Sequence, residues 1–178
     1  MGAATPNRKY STFNQKSIAT QIKRDQFIRQ WLSESAKNNS TKMLEMLKDQ
    51  PCVVKERDPF SGFTALHWAA KHGNSDMVRT LIKTYGQDVH TKSHGGYTAL
   101  HLASKYRHPG TCKILVTDLG ANINIRDNYG KKPNYYTIKH DHPIRQQYSV
   151  KEKEDVLKTQ RSLQSYNQIT RFVSLDEY

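Results

Sequence analysis

Little in this chain points to covalent chemistry, a membrane or a secreted framework. It has two cysteines in 178 residues, Cys52 and Cys112, with no metal-like spacing. Standing singly in apolar or helical contexts, they read as two buried free thiols, which suits a reducing interior better than a disulfide scaffold. Apolar residues make up 35% and mean hydropathy is −0.84, so no run approaches the roughly 20 apolar residues of a membrane-spanning helix. The opening Met1-Gly2-Ala3-Ala4-Thr5-Pro6-Asn7-Arg8-Lys9 lacks the apolar core of a secretory signal. Pro6 also stands where a myristoylation pattern wants Ser or Thr. A cytoplasmic or nuclear protein is therefore expected. There is no Gly-rich phosphate loop, no paired carboxylates and no nucleophile elbow, so neither an enzyme nor a cofactor is expected. His140-Asp141-His142 could pair on a metal, but no cysteine or second histidine cluster supports it, and no metal site is expected.

Acid is scarce as well. The net charge is +12 with pI about 9.7, and the imbalance is uneven: within residues 1–30, Asp25 alone faces Arg8, Lys9, Lys16, Lys23, Arg24 and Arg29. An arm of this kind attracts acidic proteins, nucleic acid or anionic lipid, or is simply a solvated terminus.

What the chain has in plenty is repetition. Thr64-Ala65-Leu66-His67 returns 34 residues later as Thr98-Ala99-Leu100-His101. Gly62-Phe63 precedes the first copy and Gly96-Tyr97 the second, and Ala69 recurs as Ala103. Apolar stripes at helical spacing follow each, Met77-Val78-Leu81-Ile82 and Cys112-Ile114-Leu115-Val116. A period of about 33 residues carrying Thr-Pro-Leu-His-like tetrapeptides marks the ankyrin repeat. The fold class is thus an all-α repeat, a short solenoid of helix-turn-helix units with hairpin loops.

Boundaries follow from the register. Residues 1–24 form a basic arm expected to lack fixed structure, and 25–140 the repeat domain. Within it a degenerate first repeat occupies about 25–58, clear repeats about 61–94 and 95–128, and a partial capping repeat about 129–140; 141–178 is a polar tail, helical in part. In the first repeat Ile18, Ile22, Phe27, Trp31, Leu32 and Ala36 share one broad helical face, and Met43, Leu44 and Leu47 point inward from a helix capped at Ser40-Thr41. A shift of 34 sets Ala36 on Ala70, Asn39 on Gly73 and Leu47 on Leu81. Gly73 suits a left-handed turn because it has no Cβ; Arg107 takes that register in the next repeat, a small strain, and Pro109 fits a first helical turn.

The tetrapeptide is structural. Thr64 and Thr98 cap free backbone N–H groups, and His67 and His101, one turn on, reach both the threonine hydroxyl and the neighbouring repeat. Leu66 and Leu100 face the inter-repeat core, while Ala69, Ala70 and Ala103 let helices approach closely.

Wording beyond the generic repeat resembles one family. Asp58-Pro59-Phe60-Ser61-Gly62-Phe63-Thr64-Ala65-Leu66-His67-Trp68-Ala69-Ala70-Lys71-His72-Gly73 is similar to the opening repeat of the sosondowah ankyrin repeat proteins. Val89-His90-Thr91-Lys92-Ser93, Gly95-Gly96-Tyr97-Thr98-Ala99-Leu100-His101-Leu102-Ala103 and Arg126-Asp127-Asn128-Tyr129-Gly130-Lys131-Lys132-Pro133 resemble it too, over roughly residues 25–137. Asp25 and Trp31 keep the spacing of the family's acidic-to-Trp segment; Tyr135 stands near the family's Trp, and the N-terminal domain of longer members has no room here. The resemblance implies an intracellular, non-enzymatic ankyrin protein without a defined ligand.

Ankyrin arrays meet partners through the inner-helix face and the hairpin tips. Lys37, Lys71 and Lys105 recur every 34 residues and are expected to line the concave groove. Phe60, Phe63, His94, Tyr97 and Tyr129 fall at or near the tips, and Trp68 and Tyr106 near the inner helices; aromatics framed by positive charge make interface anchors. The expected partner is a protein or peptide with an acidic, partly apolar surface, bound by a monomer. The alternative is electrostatic binding of nucleic acid or anionic membrane through the basic arm and the lysine stripe. Asn124, in the hairpin after Ala121-Asn122-Ile123, is a candidate for ankyrin-type asparagine hydroxylation.

Overall fold

Helices account for all the regular structure among the described residues. The computed structural model describes residues 8–138, with side chains placed over 17–137. The order is α1 (Arg8–Ala36), α2 (Ser40–Asp49), a 3₁₀ turn (Pro51–Lys55), α3 (Ala65–Lys71), α4 (Ser75–Lys83), α5 (Ala99–Lys105), α6 (Pro109–Thr117) and α7 (Tyr135–Ile138). Each inner helix packs on its own outer helix and on the next inner helix: α1 on α2 and α3, α3 on α4 and α5, α5 on α6 and α7. Hairpins project between the pairs.

Local chemistry starts and stops each element. Thr64 and Thr98, in extended backbone, open α3 and α5 through capping boxes closed by His67 and His101. Asn39 and Asn74 cap α2 and α4, their side chains accepting from the backbone N–H of Lys42 and Met77. Pro109 takes the first turn of α6, where a missing N–H costs nothing. Between the helices of successive pairs the chain turns through the left-handed region at Asn38 (φ 57°), Gly73 (φ 75°) and Arg107 (φ 63°).

One core threads the stack. Trp31, Met43, Met46 and Leu47 bury in the first pair, Leu66, Val78 and Leu81 in the second, Leu100, Cys112 and Leu115 in the third. Leu66 and Leu100 are each 1% exposed. Ala65, Ala69, Ala70, Ala99 and Ala103 are all buried where inner helices meet, because a larger side chain would hold them apart.

The first repeat departs from the pattern drawn from sequence. Asn39 rather than Ser40-Thr41 is the cap, and Leu44 is exposed while Met46 is buried. Ile18 and Ile22 are also exposed, since α1 runs on past the end of the array from Phe27 towards Arg8. From Arg8 to residue 24 a helix stands where no fixed structure is expected from the sequence: once Phe27–Ala36 is docked, extending it costs no new nucleus, and no glycine or proline interrupts residues 8–24. Cys112 is buried, but Cys52 is exposed on the 3₁₀ turn, because Val53 and Val54 take the inward positions there.

The register between the first two pairs is 35, not 34. Caps Asn39 and Asn74, left-handed residues Asn38 and Gly73, and the matching bonds Asn39 N–H to Glu34 O and Asn74 N–H to Ala69 O all agree. Trp31 therefore stands at the Leu66 position, and Ala36 at the Lys71 position. Lys37 falls beside His72, outside the lysine register, where it pairs with Glu34 at 3.1 Å. The stripe consists of Lys71 and Lys105.

Candidate functional site

The repeated tetrapeptide forms a closed unit. Thr64 N–H donates to His67 Nδ1 at 3.1 Å and Thr98 N–H to His101 Nδ1 at 3.2 Å. With Nδ1 accepting, the proton sits on Nε2, which donates to the Tyr97 carbonyl (2.9 Å) and the Lys131 carbonyl (3.2 Å) of the following hairpins. Both rings are fully buried, and burial pushes His67 down to about 4 and His101 in the same direction. A neutral ring is what these bonds require.

The same device recurs beyond the tetrapeptide. His72 Nε2 meets the Ala36 carbonyl at 2.8 Å, and His108 Nε2 meets that of Lys71 at 2.9 Å. His94 Nδ1 meets the Phe60 carbonyl at 3.0 Å, and His90 Nε2 accepts from Asn122 N–H at 3.1 Å. Each of these histidines ties one repeat to its neighbour through main chain. Gly62 and Gly73 make room for it: a Cβ on either would overlap the ring of His94 or His108.

The open side of the inner helices carries the candidate partner residues. The Lys71 ammonium lies 4.5 Å from the Trp68 ring on its own helix and 5.3 Å from the ring of Tyr106, which caps the end of α5. Lys105 repeats this, 4.8 Å from Tyr97 and 5.8 Å from Tyr136. Among the described residues neither lysine has a carboxylate within ion-pair distance. Lys131, over Tyr135 at 4.5 Å, is a further cation on this side that the sequence reading missed; it stands at the Tyr97 register, so no lysine periodicity announced it.

The tips sort into two kinds. Phe60 and Tyr129 are 91% and 72% exposed. His94 is exposed too, but its ring is committed to the Phe60 carbonyl, and Asn128 does the same one repeat on, donating to the His94 carbonyl at 2.7 Å. Tyr97 is half-buried against His101 and Tyr136, and Phe63 is stacked on His67 and edge-on to Trp68. Asp127 is 5% exposed and closes the last tip, accepting from Tyr129 N–H, Lys131 N–H and, at 2.5 Å, the Tyr136 hydroxyl. Asn124 is exposed, and its side-chain oxygen accepts from Lys132 Nζ at 2.7 Å. His140-Asp141-His142 lies outside the described residues, as does the tail 141–178. No group of three or more potential metal ligands occurs among the described residues, and none of their helices is long and apolar enough to cross a membrane.

Stacked helix pairs, capping histidines and projecting hairpins define a helical repeat protein whose side chains are spent on stacking along one side and left open along the other. The chain belongs to the ankyrin repeat family: ankyrin repeats, in three copies, match residues 32–127. It is similar to ankyrin repeat domain-containing protein SOWAHC of Mus musculus, 34% identical over 72 residues, covering 40% of this chain and 14% of that protein. It is also similar to SOWAHD of Mus musculus, 35% identical over 51 residues (29% and 16%), and to SOWAHC of Homo sapiens, 33% over 52 residues (29% and 10%). The chain thus spans only a small part of these relatives. Among solved structures it resembles a chain in the crystal structure of the yeast ribosomal protein Rps3 in complex with its chaperone Yar1, with TM-score 0.57 and 22% identity over 67% of this chain and 85% of that one. At that identity the likeness is one of fold.

Proposed function

We propose that this protein is a non-enzymatic interaction module that holds an acidic protein or peptide against the inner-helix face and the hairpin tips. The observation that carries this reading is the pair Lys71 and Lys105, two cations at one register of adjacent repeats, braced on aromatic rings and with no carboxylate within ion-pair distance among the described residues. Bracing lowers the conformational entropy such side chains lose on binding, about 0.5–1.5 kcal/mol each. Ankyrin repeats are general protein-binding modules, and the solved neighbour comes from a complex of two proteins, in keeping with this role. Action as a monomer in cytoplasm or nucleus belongs to the same reading.

Affinity capture with the wild type beside a Lys71→Glu/Lys105→Glu form tests it, with circular dichroism to confirm that both fold. Charge reversal is expected to slow association and flatten its salt dependence. Equal capture of the same partners by both forms would refute the reading.

The exposed Lys23, Arg24 and Arg29 of the projecting α1 support a second reading, electrostatic binding of nucleic acid or anionic membrane. Removing residues 1–24 abolishes that activity if it exists, and spares a partner held by the inner-helix face.

A further inference from the structure

The projecting half of α1 carries the open side of the inner helices out past the array. In the register of 35, Ala36 stands where Lys71 stands one repeat on. At 3.6 residues per turn Ile18 lies about five full turns before Ala36, and Ile22 and Arg29 fall within about 40° of the same line. Ile18, Ile22 and Arg29 therefore face the side that Lys71 presents on α3, the helix on which α1 packs. Ile18 and Ile22, at i and i+4, are 51% and 50% exposed, and Arg29 is exposed as well.

The chemistry of this stretch selects its occupant. Residues 17–30 lie inside α1, where main-chain groups are bonded along the helix, so an extended peptide finds no sheet edge to pair with. A polyproline II segment docks between aromatic rings, whereas the large exposed apolar side chains here are aliphatic. A partner helix bonds its own backbone, and its apolar stripe packs on an i, i+4 ridge. Charge decides its sign. Within residues 17–30 Lys23, Arg24 and Arg29 face Asp25 alone, whose carboxylate already takes Gln21 Nε2 at 3.0 Å. A second copy of this chain would bring the same excess of positive charge, and an acidic helix the opposite one. A membrane surface wants a broad apolar face, but Gln21, Asp25 and Gln26 stand beside the isoleucines.

We propose that the projecting half of α1 receives an acidic amphipathic helix of the partner, its apolar stripe on Ile18 and Ile22 and its carboxylates turned to Arg29 and Lys71. The proposal rests on the acidic-partner reading above and gives the partner's apolar side its place. Fluorescence polarisation titrations on the full chain test it with three labelled probes. One is polyglutamate. The second is a glutamate-rich, alanine-based helical peptide with leucines along one face, and the third is its isomer with the leucines scattered round the helix. The leucine-faced peptide is expected to bind roughly fivefold or more tightly than its isomer. That advantage vanishes in Ile18→Ser/Ile22→Ser, which binds polyglutamate as the wild type does and whose melt serves as fold control. Equal binding of the two peptides, or a preference that survives the isoleucine changes, overturns this proposal. Polyglutamate binding lost in Lys71→Glu/Lys105→Glu then leaves the acidic-partner reading standing. Dimerisation in sedimentation velocity, or binding to phosphatidylserine vesicles, that is lost in the isoleucine variant replaces the partner helix with a second copy or an anionic membrane. Absence of binding by all three probes removes both readings.

Discussion

His67 Nε2 lies 2.9 Å from the carbonyl oxygen of Tyr97, thirty residues on, and this bond ties the second repeat to the third through a neutral imidazole. Protonation leaves Nε2 able to donate but forces a proton onto Nδ1, which then faces the Thr64 N–H it had accepted from. Burial is the cause of the low value, about 4 against 6.5 in a free chain. A base whose folded value is depressed contributes stability that is complete above the unfolded value and lost as pH falls towards the folded one. The window is therefore about 6.5 down to 4, and the loss from His67 reaches roughly 2 kcal/mol by pH 5. His101 is shifted the same way and adds to it. Urea titrations at pH 7.5 and pH 5.0 are expected to show the midpoint falling; a midpoint that held steady would mean the rings are not kept neutral by the fold.

Leu66 and Leu100 fill the space between inner helices at 1% exposure. Leu66→Ala or Leu100→Ala is expected to cost on the order of 2–5 kcal/mol, transfer plus cavity. In an array of so few repeats that is enough to unfold much of the population at ambient temperature. A thermal melt followed by circular dichroism, unchanged by either substitution, would contradict the packing described.

Gly73 and Gly86 separate two reasons for glycine. Both have positive φ, 75° and 65°, but a Cβ at Gly86 meets nothing within 4 Å, whereas one at Gly73 overlaps the His108 ring. Gly86→Ala is expected to cost about 1–2 kcal/mol, the left-handed penalty alone. Gly73→Ala costs more, because His108 must leave the Lys71 carbonyl. Combining Gly73→Ala with His108→Ala gives less than the sum of the two losses in chemical denaturation, since the second change removes what the first strikes. Strict additivity would place the ring elsewhere.

Where the sequence repeats itself, it discloses the fold. Thr64 to His67 and Thr98 to His101 state their caps, their buried leucines and their period, because each residue type answers one local demand. The first repeat has no such phrase to hold the alignment, so a constant shift of 34 hides a one-residue slip there and puts Lys37 in line with Lys71. The signal was present in a different place: Asn39-Ser40 matches Asn74-Ser75, and the cap pairs lie 35 apart. The inter-repeat bonds of His72, His90, His94 and His108 are not legible in the sequence, because they join side chains to distant main-chain groups, carbonyls for three of them and the Asn122 N–H for His90, and leave no periodic trace. Nor is the helical run from Arg8, whose stability comes from the docked half of α1 and not from an apolar pattern of its own.

Arg107 offers a prediction of the opposite sign. It takes the left-handed turn, φ 63°, that Gly73 makes one repeat earlier without a Cβ. For a residue of this kind the conformation costs about 1–2 kcal/mol, while glycine costs about 0.5–1 kcal/mol through the extra freedom of the unfolded chain. The first effect is the larger, so Arg107→Gly is expected to stabilise the array by about 0.5–1 kcal/mol and to raise the melting temperature by a few degrees. Asn38→Gly, at φ 57°, should gain less, because asparagine tolerates this region far better than arginine. If the two substitutions moved the melt equally, the strain at Arg107 would be no greater than at Asn38. A larger gain at Arg107 has two sources to separate, relief of the backbone and removal of a positive charge. Arg107→Asn, which discards the charge but keeps a Cβ suited to the turn, decides between them: it should recover part of the gain if conformation is the cause, and Arg107→Ala, equally uncharged but no better fitted, should recover little.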